Sequence, residues 1–131
     1  MFSLTIDGVE IGQFADLEAI TSELELPEIQ KEPGGRKLPR RVPPTVTLSR
    51  GMNQDLSIFA WHQTVVEGQF LAARKNCSLI VYSGSGTAVA RYYLESAWPS
   101  KVEISALKSG ANEILIEKVT LIAENIQRVA P

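Results

Sequence analysis

Only one stretch of this chain, residues 56–66, has the period of a helix. Almost everything else is cut by glycine, proline and Asp-Gly or Ser-Gly pairs into short β-prone runs. Asp7-Gly8 between Phe2–Ile6 and Val9–Phe14 predicts a hairpin, because both turn residues accept the positive φ that a two-residue connection demands. Over residues 21–28, Ser22, Leu24 and Leu26 alternate with Thr21, Glu23 and Glu25, which predicts a strand with an apolar and an acidic face, ended or edged by Pro27. Residues 45–49 read as a short strand, and 77–82 and 88–95 as a second hairpin around Ser83-Gly84-Ser85-Gly86. Pro99 is expected to break the chain before another short strand at 101–105 and a loop at 106–112. Residues 113–124 then predict a long strand with Leu115, Val119 and Leu121 on one face. The expected fold is mainly β, a β-sandwich or barrel of about seven or eight strands with one flanking α-helix. At 131 residues it forms a single domain, 1–131.

In the helix, Asp55 is placed to cap and Gly68 to stop the run. Leu56, Phe59, Ala60 and Gln63 mark one face, and Ile58, Trp61, Val65 and Val66 a neighbouring one. That apolar arc is wider than one packing surface requires, so the helix is expected to be covered twice, once by its own sheet and once by something else.

Residues 31–44 hold four of the seven prolines, Pro33, Pro39, Pro43 and Pro44, together with Gly34-Gly35. They are expected to form a long loop, neither helix nor central strand. The loop is also where the charge turns over. Residues 1–30 carry seven acids and no Lys or Arg, whereas residues 31–50 carry six bases against Glu32 alone, inside a chain of net charge −2. Such blocks fit two complementary surfaces that meet between subunits, or neutralise each other within one.

Catalytic and metal chemistry find little to work with. One histidine, His62, and one cysteine, Cys77, give neither a disulfide nor a Zn site of the usual kind within one chain. A hydrolase would have to use His62 on an apolar helix. Gly34-Gly35-Arg36-Lys37 lacks the spacing of a phosphate loop. The expectation is no enzyme and no cofactor. A small β-barrel module gripping nucleic acid through the basic loop remains an alternative, although residues 31–44 contain no aromatic side chain on which bases could stack. The N-terminus has neither the basic nor the long apolar stretch of a signal peptide, and no run approaches a membrane span, so no membrane insertion is expected.

Taken in order, several motifs resemble the tail tube protein family of contractile-tailed bacteriophages and related bacterial contractile injection systems. They are Ile6-Asp7-Gly8 with Ile11-Gly12-Gln13-Phe14, Gly34-Gly35-Arg36-Lys37-Leu38-Pro39-Arg40, Thr47-Leu48-Ser49-Arg50-Gly51, the helix residue Trp61, Arg74-Lys75-Asn76, Tyr92-Tyr93-Leu94-Glu95-Ser96-Ala97-Trp98-Pro99 and Asn112-Glu113. Ala97-Trp98-Pro99 after an aromatic strand is the most specific. Arg40 departs from a frequent glycine and Ser49 from a usual lysine. The resemblance implies a structural protein whose homohexameric rings, joined sheet edge to sheet edge, stack head to tail into an inner tube, with a fold shared by type VI secretion tube proteins. It implies sheath, baseplate and tape-measure proteins as partners, DNA or protein cargo in the lumen, and a virion tail or contractile particle assembled in the bacterial cytoplasm. A baseplate-proximal ring that initiates the tube is the alternative within the family.

Two expectations about sites follow. Lys31, Gly34, Gly35, Arg36, Lys37, Leu38, Pro39 and Arg40 are expected to contact acids of the next ring, Glu23 and Glu25 among them, while Ile58, Trp61, Val65, Trp98 and Pro99 serve subunit packing. The lumen wall, drawn from residues 21–28 and 113–124, should be polar without a basic stripe, because a cationic wall would trap DNA or acidic cargo.

Overall fold

The computed structural model describes residues 2–6, 9–14, 16–25, 40–52, 56–109 and 112–131. β1 (Phe2–Ile6) and β2 (Val9–Phe14) form the expected hairpin, paired from Phe2↔Phe14 to Ile6↔Val9 with a register shift between Leu4 and Thr5. Then come β3 (Asp16–Glu25), β4 (Arg40–Gly51), α1 (Ser57–Val66), α2 (Phe70–Ala73), β5 (Lys75–Tyr82), β6 (Ala88–Ser109), β7 (Asn112–Ile122) and β8 (Asn125–Val129). The strands join in the order β2-β1-β5-β6-β7-β4-β3, with β8 on β6, and every pairing is antiparallel.

β2 and β3 stand at opposite ends of that order, yet only Ala15 separates them in the chain. The sheet therefore has to curl until its ends meet. The Arg50 guanidinium of β4 lies over the Phe14 ring of β2, 5.1 Å from its centroid, across that closure. β6 is the fold line. Its first half pairs with β5 on one side and β8 on the other, and its second half pairs with β7. The crossing falls near Ser96, which has φ 50°. Leu4, Leu48, Leu79, Leu94, Val119 and Leu121 fill the interior at 0% exposure, and Ile58 and Trp61 of α1 close it.

Several sequence expectations need correction. The strand expected at 21–28 lies at Asp16–Glu25, and register shifts at Leu17/Ala19 and Thr21/Glu23 spoil strict alternation. Leu17 and Ile20 meet the core, whereas Leu24 is 59% exposed. Residues 26–28 lie outside the described residues. The expected loop 31–44 yields its last five residues to β4, a central strand. Pro43 and Pro44 are tolerated because they fall at the β3–β4 register shift, and β7 pairing begins only at Thr45. The Pro44 carbonyl still accepts a bond from the Ala123 N–H at 3.0 Å.

Pro99 does not end a strand: β6 runs through it with a register shift between Pro99 and Lys101. Most of the expected loop 106–112 is paired, from Ala106↔Leu115 to Ser109↔Asn112. The long strand is Asn112–Ile122, and on its expected apolar face Leu115 is 44% exposed while Glu117 is buried. α2 and β8 were not expected.

Leu56, not Asp55, takes the N-cap position of α1 and supplies no side-chain bond, while Asp55 lies outside the described residues. The C-terminus behaves as expected. Gly68 has φ 87°, its N–H donates to the Val65 carbonyl and that of Gln69 to the Thr64 carbonyl, the two bonds of a Schellman ending. A Cβ on Gly68 would meet nothing within 4 Å, so its cost is conformational only. Gly68→Ala is expected to lower stability by about 1 kcal/mol in a urea melt, with assembly unchanged.

Candidate assembly surfaces

Three surfaces are built by this fold. The first is the outward face of β3, β4, β7 and the second half of β6. Register places Thr21, Thr45 and Thr47 beside one another, with Thr120, Lys118, Lys101 and Glu103 continuing across β7 and β6. Threonine suits such a face because its branched Cβ fits the pleat while its hydroxyl stays wet. The cations here are matched: Lys118 Nζ lies 3.1 Å from Glu18, and Lys101 Nζ lies 3.7 Å from Glu103. Asp16, Glu23 and Glu25 are exposed on β3. On its outer side β3 has no partner among the described residues, and residues 98–109 of β6 are paired on one side only, by β7.

The second surface is the outside of the two helices. Ile58 is fully buried, Trp61 is buried, and Val65 packs half-buried against the core, so all three serve their own subunit's interior. The Trp61 indole N–H donates to the Ala73 carbonyl and thereby holds α2 on α1. Leu56 at 74% and Leu71 at 79% exposure, with Phe59 and Val66, leave an apolar outer side of the kind that marks interaction sites.

The third is a pocket of about 390 Å³ where β4, β6, β7 and α2 come together, lined by Arg41, Pro43, Phe70, Arg74, Trp98 and Ile122 among others. Trp98 meets the Phe70 ring edge-on at 4.9 Å, and the Arg74 guanidinium lies 5.7 Å from the centre of the same ring. Arg74 is ion-paired with Glu124. Arg41 donates at 2.9 Å to the Glu124 backbone carbonyl and at 2.9 Å to Asn125 Oδ1. Pro99, next to Trp98, is fully buried, and its carbonyl accepts a bond from His62 Nδ1–H at 2.9 Å.

Of the residues expected at an inter-ring contact, Lys31, Gly34, Gly35, Arg36, Lys37, Leu38 and Pro39 lie outside the described residues. Arg40 is in β4 as the register partner of Glu25. Sequence reasoning missed Arg41, Arg74 and Glu124 as a group. The 50 residues between Arg74 and Glu124 leave no local pattern, although Arg74 and Trp98 both belong to motifs singled out above. His62 and Cys77 do not form a dyad: Cys77 is buried with its thiol toward the Lys75 carbonyl, and His62 is engaged by Pro99. Among the described residues no three His, Cys, Asp or Glu side chains cluster as metal ligands, and no helix is long and apolar enough to cross a membrane.

The family model for the T4-like virus tail tube protein gp19 matches residues 1–127, nearly the whole chain. The chain belongs to this tail tube family. A search of curated proteins returns no match. Among solved structures, this tail tube protein is similar to a chain of the anti-feeding prophage cap (AFP tube terminating cap), with TM-score 0.74 and 19% identity over 99% of this chain and 88% of that one. It is similar to a chain of the PVC extracellular contractile injection system sheath–tube complex in the extended state, with TM-score 0.66, 18% identity and coverage of 99% and 88%. It is also similar to Hcp1 from Flavobacterium johnsoniae, with TM-score 0.59, 16% identity and coverage of 100% and 96%. The mainly β fold expected from the sequence is thus that of tail tube and Hcp proteins, and the family's role is structural.

Proposed function

We propose that this tail tube protein forms homohexameric rings that stack head to tail into the inner tube of a contractile tail or injection machine, assembled in the bacterial cytoplasm. Sheath, baseplate and tape-measure proteins are its partners, and DNA or protein passes through the lumen. The observation that carries this reading is the outward face of the β3-β4-β7-β6 sheet. It carries Thr21, Thr45, Thr47 and Thr120, its Lys101 and Lys118 are matched by acids, and among the described residues it ends in two edges without a partner strand. Free edges invite another chain. Pairing β3 of one copy with residues 98–109 of β6 in the next continues the sheet around an axis, and a heterologous contact of that kind closes a ring. The threonine-rich face then lines the lumen, where paired charges let cargo slide without being held. A neighbouring copy covers the apolar outer side of the helices.

Axial contact falls to residues 31–40, whose Lys31, Arg36, Lys37 and Arg40 meet acids of the first 30 residues in the next ring. Each exposed ion pair contributes only about 0–1 kcal/mol, and repetition around the ring multiplies it. Negative-stain microscopy with sedimentation of purified protein tests both levels. Rings and tubes are expected from the wild type, and a small monodisperse species would overturn the reading. Reversing Arg36, Lys37 and Arg40 to Glu should leave folded rings that no longer stack, and high salt should act in the same direction. Tubes of normal length from that variant would return the segment to a solvated connector.

A further inference from the structure

The apolar face of β3 runs on past the core. Ile20, Ser22 and Leu24 share one face of this strand by alternation, and Ile20 meets the core whereas Leu24 is exposed. Leu24 is thus a large apolar side chain near the end of an edge strand, on the side turned away from the threonines. At the other edge of the same sheet the fold supplies a cover. There α1 and α2 flank β6: His62 of α1 is bonded to the Pro99 carbonyl at 2.9 Å, and Phe70 of α2 meets Trp98 edge-on at 4.9 Å. On the outside of these helices Val66 and Leu71 are exposed. We infer that Leu24 of one copy packs on Val66 and Leu71 of the adjacent copy in the same ring, on the side of the sheet away from the lumen.

Three observations support that occupant. First, the faces agree. Rotation about a ring axis carries the lumen face of one copy onto the lumen face of the next, and so keeps the opposite face too. Leu24 lies on the face of Ile20, opposite Thr21. On β6, Val102 packs against the core that Ile58 and Trp61 of α1 also enter, opposite Lys101. When β3 of one copy pairs alongside residues 98–109 of the next, Leu24 therefore emerges on the side where α1 stands. Second, the ends agree. Thr21, Thr45, Ile122 and Trp98 form one row across the sheet, Leu24 lies three residues beyond Thr21, and the Phe70–Trp98 contact places α2 at that same end. Third, the acids stay clear. Glu23 and Glu25 flank Leu24 in the chain and alternate to the other face, so the contact buries the leucine without a carboxylate. The inference deepens the ring reading and rests on it. It adds to the paired strands of the seam a second, apolar layer behind them.

The test uses two full-length variants, Leu24→Lys and Leu71→Glu, assayed for rings by light scattering and microscopy, with thermal melts to verify folding. Both positions are exposed in the subunit, so neither change should lower its melting temperature. Each variant alone should lose at least about tenfold in ring yield at a concentration where the wild type forms rings, because every seam then sets a charge against apolar side chains. Mixing the two in equal amounts should restore rings. Copies that alternate around a hexamer put Lys against Glu in one seam and leave both native leucines in the next. A role for either leucine within its own subunit would not be rescued by a second chain. Should Leu24→Lys melt early, Leu24→Ser, which removes the apolar contact without adding charge, should still cut ring yield several-fold. Wild-type ring yield from either variant assigns the outer side of the helices to a partner outside the ring and overturns the inference, as does a mixture no better than its parts, and in both cases the ring reading stands. Absence of wild-type rings overturns the ring reading and this inference with it.

Discussion

Glu117→Ala should destabilise the isolated subunit by about 3–5 kcal/mol, the expected loss when one partner of a buried ion pair is removed. Glu117 and Arg50 are register partners across β4 and β7. Their side chains are only 8% and 5% exposed, and Glu117 Oε1 accepts from Arg50 Nη2 at 3.0 Å and from Nε at 3.3 Å. Arg50 also faces the Phe14 ring, so the pair ties β7 to β4 and β4 to β2. Truncating the acid removes the buried carboxylate to which both Arg50 Nη2 and Nε donate. Replacing both residues by apolar ones of similar volume, Arg50→Met with Glu117→Leu, should recover most of the loss, because the buried pair is then removed as a unit. Urea unfolding of the single and double variants decides the matter, and a Glu117→Ala loss below about 1 kcal/mol would place the pair among exposed ones.

Trp61→Ala comes next, with an expected loss of about 3–5 kcal/mol for emptying a buried tryptophan site. Two terms contribute. The ring fills the space between α1 and the sheet, and its N–H satisfies the Ala73 carbonyl at the end of α2. Trp61→Phe keeps much of the volume and drops the bond, so it should cost about 1–3 kcal/mol. Since Trp61 faces inward, its effect on rings should follow the unfolded fraction, whereas Phe59→Ala, outside the core, should leave the urea midpoint nearly unchanged. A Trp61→Ala subunit with wild-type stability and failed rings would show that the side chain serves the neighbour instead.

Local signals were read well where the chain obeys them locally. Asp7-Gly8 pointed to the first hairpin, whose strands pair on either side of it, and Gly68 marked the end of α1, where its φ of 87° leaves few residues to choose from. The apolar excess of the helix was legible too, but not which half faces inward: Ile58 and Trp61 went to the core and Leu56 and Phe59 to the surface. Pro43, Pro44 and Pro99 misled for a single reason. A proline breaks a strand only where its missing N–H would have been used, and pairing partners far away in the chain decide that. β8 escaped because Asn125, Gln127 and Arg128 give it little apolar patterning, and its place is set by β6. Arg41 could not be singled out among six bases in twenty residues until the fold placed it beside Trp98.

The uninterrupted run of β6 also bears on how the subunit carries load. A strand of 22 residues, held by β5 and β8 over its first half and by β7 over its second, makes the two halves of the sheet mechanically one. Pulling its ends apart would strain many interstrand backbone hydrogen bonds at once in shear, rather than opening them one after another. Hydrogen exchange should find its slowest amides along this shared strand.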